Sequence, residues 1–231
     1  DYKKIENSII KYKLNNDTFI EYTKPITIFK NSCIKAIESY YLNYANLSYS
    51  DTSIAYFYKK PNNYTIQLKS TYNKQYTADG DEGLIDGLMG DVDWRKGRWQ
   101  GYQNQDFETV IDLKEVKQFS KISANFLQDT RSWILMPTAV EFYISNDSIN
   151  YTLLNVSNNT IAANDYTIQT QKYTYFYQDK NIKILPPNQR NIKLPSARYI
   201  KVVAKNYGLL PNWHQGYGDN AFIFIDEISI E

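Results

Sequence analysis

Apolar and polar residues alternate in short stretches along this chain, separated by residues that interrupt regular structure. TIQLKS (65–70), TVIDL (109–113), KISANFL (121–127), AVEFYIS (139–145), RYIKVVA (198–204) and FIFIDEISI (222–230) are rich in Val, Ile, Phe and Tyr. Successive side chains of a strand point to opposite faces, so a two-residue period predicts half-buried strands. Breaks containing Asn, Asp, Pro and Gly lie between them, among them SNDSIN (145–150), PPNQRN (186–191) and NYGLLPN (206–212). No amphipathic run of helical period exceeds a dozen residues. The pattern predicts an all-β protein built of sandwiches.

Composition then divides the chain. Residues 1–73 contain no glycine and no tryptophan, whereas all nine glycines and all four tryptophans follow from Gly80 onward. We place a domain junction at 72–77, giving units of 1–73 and 74–231, the first small but within the range that folds alone.

Several classes of function recede. Lys and Arg number 26 against 25 Asp and Glu, a formal charge of +1, and gripping a phosphate backbone takes a strong basic excess, so nucleic acid is a poor partner. Cys33 stands alone and makes no internal disulfide; with His214 as the one histidine, a Cys/His zinc site cannot be assembled. The longest apolar runs, such as AFIFI (221–225), are too short to span a bilayer, which argues against a membrane-inserted chain. The chain opens at Asp1 without an initiator methionine or a leader-like segment and reads as a piece of a longer or processed protein. Asn-x-Ser/Thr triplets at Asn16, Asn46, Asn63, Asn146, Asn150, Asn155 and Asn158 read first as loop chemistry and second as glycosylation acceptors.

Aromatic residues make up 16% of the chain, 22 of them tyrosines, a side chain at home in strands and in wet interfaces. They crowd into one apparent loop, DWRKGRWQGYQNQD (93–106), beside two arginines and a lysine. Either some of these rings are core residues caught between turns, or the loop holds something flat and polar.

From Gly83 the sequence runs GLIDGLMGDVDWRKGRWQGY, continues as FETVIDLKEVKQFSKISANFLQDTRSWILMPTAVEFYISNDSINY, and closes with ARYIKVVAKNYG and PNWHQGYGDNAFIFIDEISIE. An IDG turn, a Trp about a dozen residues on, a VIDL strand, an SNDSINY hairpin, an ARYIKV strand and a terminal DEI strand follow in that order. The order resembles the discoidin fold, also called the coagulation-factor type C domain, and its relatives the family 32 carbohydrate-binding modules, over about 76–231. WQGY, FLQDxxSWI and PNWHxGxG are similar to the version appended to glycoside hydrolases of gut and environmental Bacteroidetes, especially family 20 β-N-acetylhexosaminidases. In the first unit, IIKYKLNNDTFIEYTKPITIFKNSCIKAIES is similar to the chitobiase C-terminal, fibronectin-III-associated module, in which a hairpin leads to YxxPIxI and then IKA; NNDTFI stands where that pattern has TLDGSxPT. The resemblance implies an all-β chain, a small immunoglobulin- or fibronectin-like β-sandwich followed by a discoidin-type jelly-roll β-sandwich, in a secreted, periplasmic or cell-surface protein.

The same resemblance implies a ligand site in the loops at one end of the sandwich, where sugar-binding members combine an aromatic platform with charged side chains. The apolar C–H face of a pyranose stacks on an aromatic ring, and its hydroxyls take hydrogen bonds from planar, multiply donating groups. Three loops offer such groups: Trp94, Arg95, Arg98 and Gln100; then Arg131 and Trp133, beside Asp129 and Ser132; then Trp213 and His214, beside Asn212 and Tyr217. Trp99 stands at the place of the fold's core tryptophan and is expected inside, while Trp94, among Asp93, Arg95 and Lys96, is expected to face out. Trp133 is either a strand-end core ring or a platform, and Trp213 either a wedge between loops or a platform. His214 binds the ligand, satisfies a neighbouring carbonyl or titrates at the surface. Discoidin domains hold a calcium ion through backbone carbonyls, the Asp of the IDG turn and a Glu of the last strand, which implies one structural Ca2+ on Asp86 and Glu227 with Asp91 or Asp93 completing the shell. Gly97-Arg98 replaces the Thr that precedes the tryptophan in that pattern.

Catalysis finds little support. Asp81/Glu82 and Asp226/Glu227 are adjacent carboxylates, but neighbours in a strand point apart, whereas glycosidase acids face one another across the substrate. The sequence has no GxSxG elbow, no metal-binding His pair and no phosphate-cradling glycine loop. The reading is a non-catalytic, carbohydrate-binding accessory region of a glycoside hydrolase, β-N-acetylhexosaminidase-like, that takes a glycan end such as N-acetylhexosamine or galactose and is joined to the catalytic domain of its parent chain. Two rivals are support domains packed on that catalytic domain, with the aromatics buried at the contact, and an adhesion module using GLLPNW (208–213).

Overall fold

The computed structural model describes residues 8–43, 46–177 and 194–231; the PPNQRN break lies outside them. The protein divides into two compact units, Asp1–Lys59 and Lys60–Glu231.

In the first, β1 (Ile9–Leu14), β2 (Ile20–Glu21), β3 (Ser32–Asn43), β4 (Asn46–Tyr49) and β5 (Ser53–Phe57) form one antiparallel sheet of order β2-β1-β3-β4, with β5 also on β3. NNDT makes the β1 turn: Asn15 takes a left-handed φ of 51° and its side-chain oxygen accepts the Cys33 N–H. Among the described residues these strands give a single sheet, and no apolar side chain in the unit is buried. Cys33 is half-buried on β3.

The second unit is a two-layer sandwich. Its strands are β6 (Thr65–Leu68), β7 (Gln100–Gln103), β8 (Phe107–Gln118), β9 (Lys121–Gln128), β10 (Ala139–Ser145), β11 (Thr152–Asn158), β12 (Gln169–Phe176), β13 (Ser196–Lys205) and β14 (Phe222–Ile230). One sheet has the order β11-β10-β13-β8-β6 and the other β12-β9-β14-β7. All six sequence-predicted strands are present. Strict alternation along β8 turns Phe107, Thr109, Ile111 and Leu113 inward, where they meet Val140, Phe142, Ile200 and Val202 of the same sheet and Ile122, Ala124, Phe126, Ile223 and Ile225 of the other.

The junction falls earlier than composition indicated. β6 pairs with β8 from Thr65 opposite Asp112 to Leu68 opposite Thr109, so residues 60–73 belong to the second unit. Glycine and tryptophan mark where this unit needs turns and core rings, and its first strand needs neither.

β9 is buried on both faces, which its KISANFLQ pattern reflects by placing Ser123 and Asn125 where a solvent-facing strand would carry charge. The segment 83–90 lies over this side. Gly83 and Gly90 pack it tightly on its neighbours: a β-carbon at Gly83 would collide with the Ala78 carbonyl oxygen, and one at Gly90 with the Trp99 indole.

Candidate functional site

The loops after β9, β11 and β13 leave the sandwich at one end, as the pairing of Gln128 with Gln169 and of Leu127 with Phe224 requires. After β9 the chain turns at once. Asp129 and Ile134 exchange main-chain hydrogen bonds of 3.0 and 3.2 Å, and the short 3-10 turn Thr130–Ser132 between them carries Arg131. The ring of His214 ties this turn to the β13–β14 loop: Nε2–H donates to the Thr130 carbonyl at 2.6 Å, and Nδ1 accepts the Gly216 N–H at 2.9 Å. Both nitrogens are used, which fixes the tautomer. Gln215 Nε2 adds a bond of 3.1 Å to the Arg131 carbonyl. From the other side, Trp94 Nε1 donates to Asp129 Oδ2 at 3.1 Å, an oxygen that also accepts the Ser132 hydroxyl. The three tryptophan-bearing loops are therefore fastened together, with 129–133 in the middle.

The rings in them mostly pack. Trp99 is buried as expected, its N–H on the Asp91 carbonyl. Trp94, expected to face out, is half-buried: Tyr76 and Phe224 meet it edge-on at 5.6 and 5.8 Å, and the Arg95 guanidinium lies 4.6 Å over its ring. Trp133 is half-buried against Leu135, Leu210 and Ala221, and Gly216 approaches so closely that a β-carbon would fall 2.8 Å from the indole. Two further candidates turn out to be internal. Gln100 is fully buried, bonded to the Thr77 and Gly80 carbonyls and to the Tyr102 hydroxyl. His214 is 4% exposed and spent on its two main-chain partners. In each case a side chain read as a ligand donor is spent on backbone groups of its own loops: the Thr77, Gly80 and Thr130 carbonyls each accept it beside a main-chain N–H.

What remains at the surface is a smaller group. Trp213 is 43% exposed, and Tyr166, from the β11–β12 loop, 42%. Their rings meet edge-on with centroids 6.5 Å apart. Arg131 lies 5.1 Å over the Tyr166 ring and donates from Nη1 to the Tyr166 carbonyl at 3.2 Å; no carboxylate pairs with it among the described residues. Arg131, Tyr166, Trp213, His214 and Gln215 line a pocket of about 340 Å³. A second pocket of about 290 Å³ lies among Tyr76, Asp79, Trp94, Arg95 and Arg98. Tyr166 and Gln215 were not singled out from sequence. Tyr166 stands in a turn of Asn, Asp and Thr, which signals exposure, but nothing local places it beside a tryptophan 47 positions on.

The four predicted metal ligands separate into two groups. Asp91 bonds Lys96 at 2.8 Å and Asp93 bonds Arg95 at 3.2 Å, both at the surface. Asp86 and Glu227 face the same turn: Glu227 Oε2 accepts the Gly87 N–H at 3.2 Å, and the Asp86 charge acts on Glu227. Burial pushes Glu227 up to about 8 and Asp226 up to about 6, and it also raises Asp86. Among the described residues no group of three or more Asp, Glu, His or Cys gathers around one point. Asp86 and Glu227 bring hard oxygen donors to one turn, where the Arg98 charge also acts on Asp86, but two carboxylates alone do not complete a cation's shell, and Asp91 and Asp93 do not join them.

The expectation that Asp226 and Glu227 point apart is also corrected. The β14 register shifts between Ile225 and Ile228, and Asp226 accepts the Gly90 N–H at 2.6 Å while Glu227 accepts that of Gly87. A bulge breaks the two-residue alternation and lets neighbours address one segment.

No protein-family model and no curated protein matches the chain. Among solved structures it is similar to CpGH89CBM32-5 from Clostridium perfringens in complex with GalNAc-β-1,3-galactose, at 14% identity and a TM-score of 0.43, covering 73% of this chain and 94% of that one. It is similar to a fucolectin from striped bass (Morone saxatilis) serum, at 14% identity and a TM-score of 0.45, covering 72% and 46%. It is also similar to the C-terminal domain of a chitobiase from Bacteroides fragilis, at 19% identity and a TM-score of 0.38, covering 72% and 92%. No helix among the described residues is long and apolar enough to cross a membrane.

Proposed function

We propose that the second unit is a carbohydrate-binding module that takes a glycan end in the pocket of Arg131, Tyr166, Trp213 and Gln215, as the accessory part of a glycoside hydrolase acting outside the cytoplasm. The observation that carries this reading is the corner made by Trp213 and Tyr166 beside an arginine with no carboxylate partner among the described residues. Two exposed rings at 70° offer an apolar floor and wall for the C–H face of a pyranose, and Arg131 and Gln215 stand where its hydroxyls need donors. Hydrogen bonds from His214 and Gln215 hold the turn that carries Arg131, so the site is formed before ligand arrives. N-acetylhexosamine or galactose as the sugar, and a β-N-acetylhexosaminidase as the parent, follow from the motif resemblance. Calorimetry with GlcNAc, GalNAc and galactose tests the reading; no heat at millimolar sugar from the intact protein sinks it. One Ca2+ on Asp86, Glu227 and neighbouring backbone carbonyls belongs to the same proposal, as a structural ion.

A second role is favoured for the first unit. Ile10, Ile20, Ile54 and Tyr56 are at least half exposed on its single sheet, which suits a support that docks on the catalytic domain of the parent chain. Deleting residues 1–59 from the full-length parent should then lower the melting temperature of the catalytic domain without altering sugar binding.

A further inference from the structure

A cleft of the second unit lies away from the loops, on the outer face of the five-stranded sheet. The register sets three rungs there. Ser145, Tyr199, Asp112 and Thr65 form one; Tyr143, Lys201, Val110 and Gln67 the next; Glu141, Val203 and Glu108 the third, with Lys69 beyond β6. Ser148 and Tyr151, from the β10–β11 turn, rise beside them, and a groove of about 490 Å³ results, within the roughly 300–1,000 Å³ of ligand clefts. From Asp112 to Glu108 it runs about 14 Å along β8, longer than one sugar ring.

Its chemistry is mixed in a particular way. Lys201 Nζ lies 4.6 Å from the ring centroids of both Tyr143 and Tyr151, which fixes those rings. Asp112 is occupied by Arg198, through bonds of 3.0 and 3.1 Å. The Glu108 carboxylate and the Tyr151 and Tyr199 hydroxyls have no hydrogen-bond partner among the described residues. Lys69 and Lys201 balance Glu108 and Asp112, so the groove carries no net charge. A polyphosphate would meet two carboxylates. A peptide lying over β8 and β13 would find no strand edge to extend, because both are paired on both sides; the sheet's edge, β6, stands at the margin of the groove. A neutral chain with alternating C–H faces and hydroxyls fits: tyrosine rings for the first, and a carboxylate, an amide and phenols for the second.

We propose that this groove is a second saccharide-binding surface, which takes the interior of a neutral oligosaccharide chain along the sheet. It is separate from the loop-end pocket and needs no terminal sugar. The test uses the full chain carrying Trp213→Ala, so that the loop-end pocket is impaired, with chito-oligosaccharides of one to six GlcNAc units and soluble galactan as probes, by calorimetry and affinity electrophoresis. Binding that is absent for one unit, present from about four units or in galactan, and weakened at least fivefold by Glu108→Gln or Tyr151→Ala upholds the groove. No binding of any probe by Trp213→Ala overturns it, as does binding unchanged by both groove variants. Failure of the loop-end site alone shows differently, as wild-type protein that ignores single sugars yet binds the longer chains.

Discussion

His214 Nε2 lies 2.6 Å from the carbonyl oxygen of Thr130, 84 residues away in sequence, and this buried contact, with the Gln215 bond to the Arg131 carbonyl, holds the β13–β14 loop against the turn that carries Arg131. Replacing the ring with Ala leaves the buried Gly216 N–H unpaired, at about 1–3 kcal/mol, and the Thr130 carbonyl with the Trp133 N–H alone. His214→Ala should therefore lower the melting temperature clearly and weaken sugar binding through loss of loop order. Thermal unfolding monitored by tryptophan fluorescence, next to calorimetry, reads both; a melting temperature equal to wild type contradicts the clip.

Trp213 and Trp94 should separate binding from stability. Trp213 is the exposed ring, so Trp213→Ala should cost about tenfold or more in affinity for the terminal sugar while the protein melts as before. Trp94 is wedged among Tyr76, Phe224 and Asp129, so Trp94→Ala should cost about 3–5 kcal/mol of stability, as aromatic truncations in packed sites do. The opposite pattern in paired binding and denaturation curves would return Trp94 to the site.

Glu227 gives a pH dependence. Its folded-state value is raised to about 8 from a usual value near 4.5, so the folded protein holds a proton that the unfolded chain has released between those limits. Asp226, raised to about 6, acts in the same sense over a lower range. Stability is then highest below about pH 4.5 as far as these groups contribute, and falls as pH rises toward 8. Glu227→Gln should flatten the upper part of that slope. With Ca2+ on Asp86 and Glu227, millimolar calcium should raise the melting temperature at pH 8 in wild type and much less in Glu227→Gln; an equal rise in both proteins removes Glu227 from the ligand set.

Gly90→Ala probes the packing behind that turn. Its new methyl would overlap the buried Trp99 ring, which has no room to retreat, so a loss of about 1–3 kcal/mol in urea unfolding is expected. Gly97→Ala, at a positive φ of 83° but with nothing within 4 Å of its β-carbon position, should show backbone strain alone and a smaller loss.

The strands of the second unit were legible because each carries its own evidence: burial on one face writes the two-residue period into β8 and β10, and β14 shows itself by its β-branched and aromatic residues. Trp99 was legible through the resemblance, since it stands after the IDG turn at the place of that fold's core tryptophan, and it is buried here. The site was legible by composition and less so by residue. Local sequence reports that Trp94 sits among charges, but not that Tyr76 and Phe224 close around it from elsewhere in the chain. Gln100 and His214 look like ligand donors because the same amide and imidazole chemistry serves buried carbonyls equally well. Tyr166 escaped notice because its partner Trp213 is supplied by the fold alone.

The position of β14 within its sheet bears on how the molecule comes into being. Flanked by β9 on one side and β7 on the other, it is the inner seam of the four-stranded layer, yet the ribosome delivers it after every other strand of the unit. Until residues 222–230 emerge, β7 and β9 have no neighbour between them and the hydrophobic interior stays open to chaperones and to aggregation. Productive collapse of this half must wait for translation to reach its final strand, and a nascent chain stalled before it should remain protease-sensitive throughout.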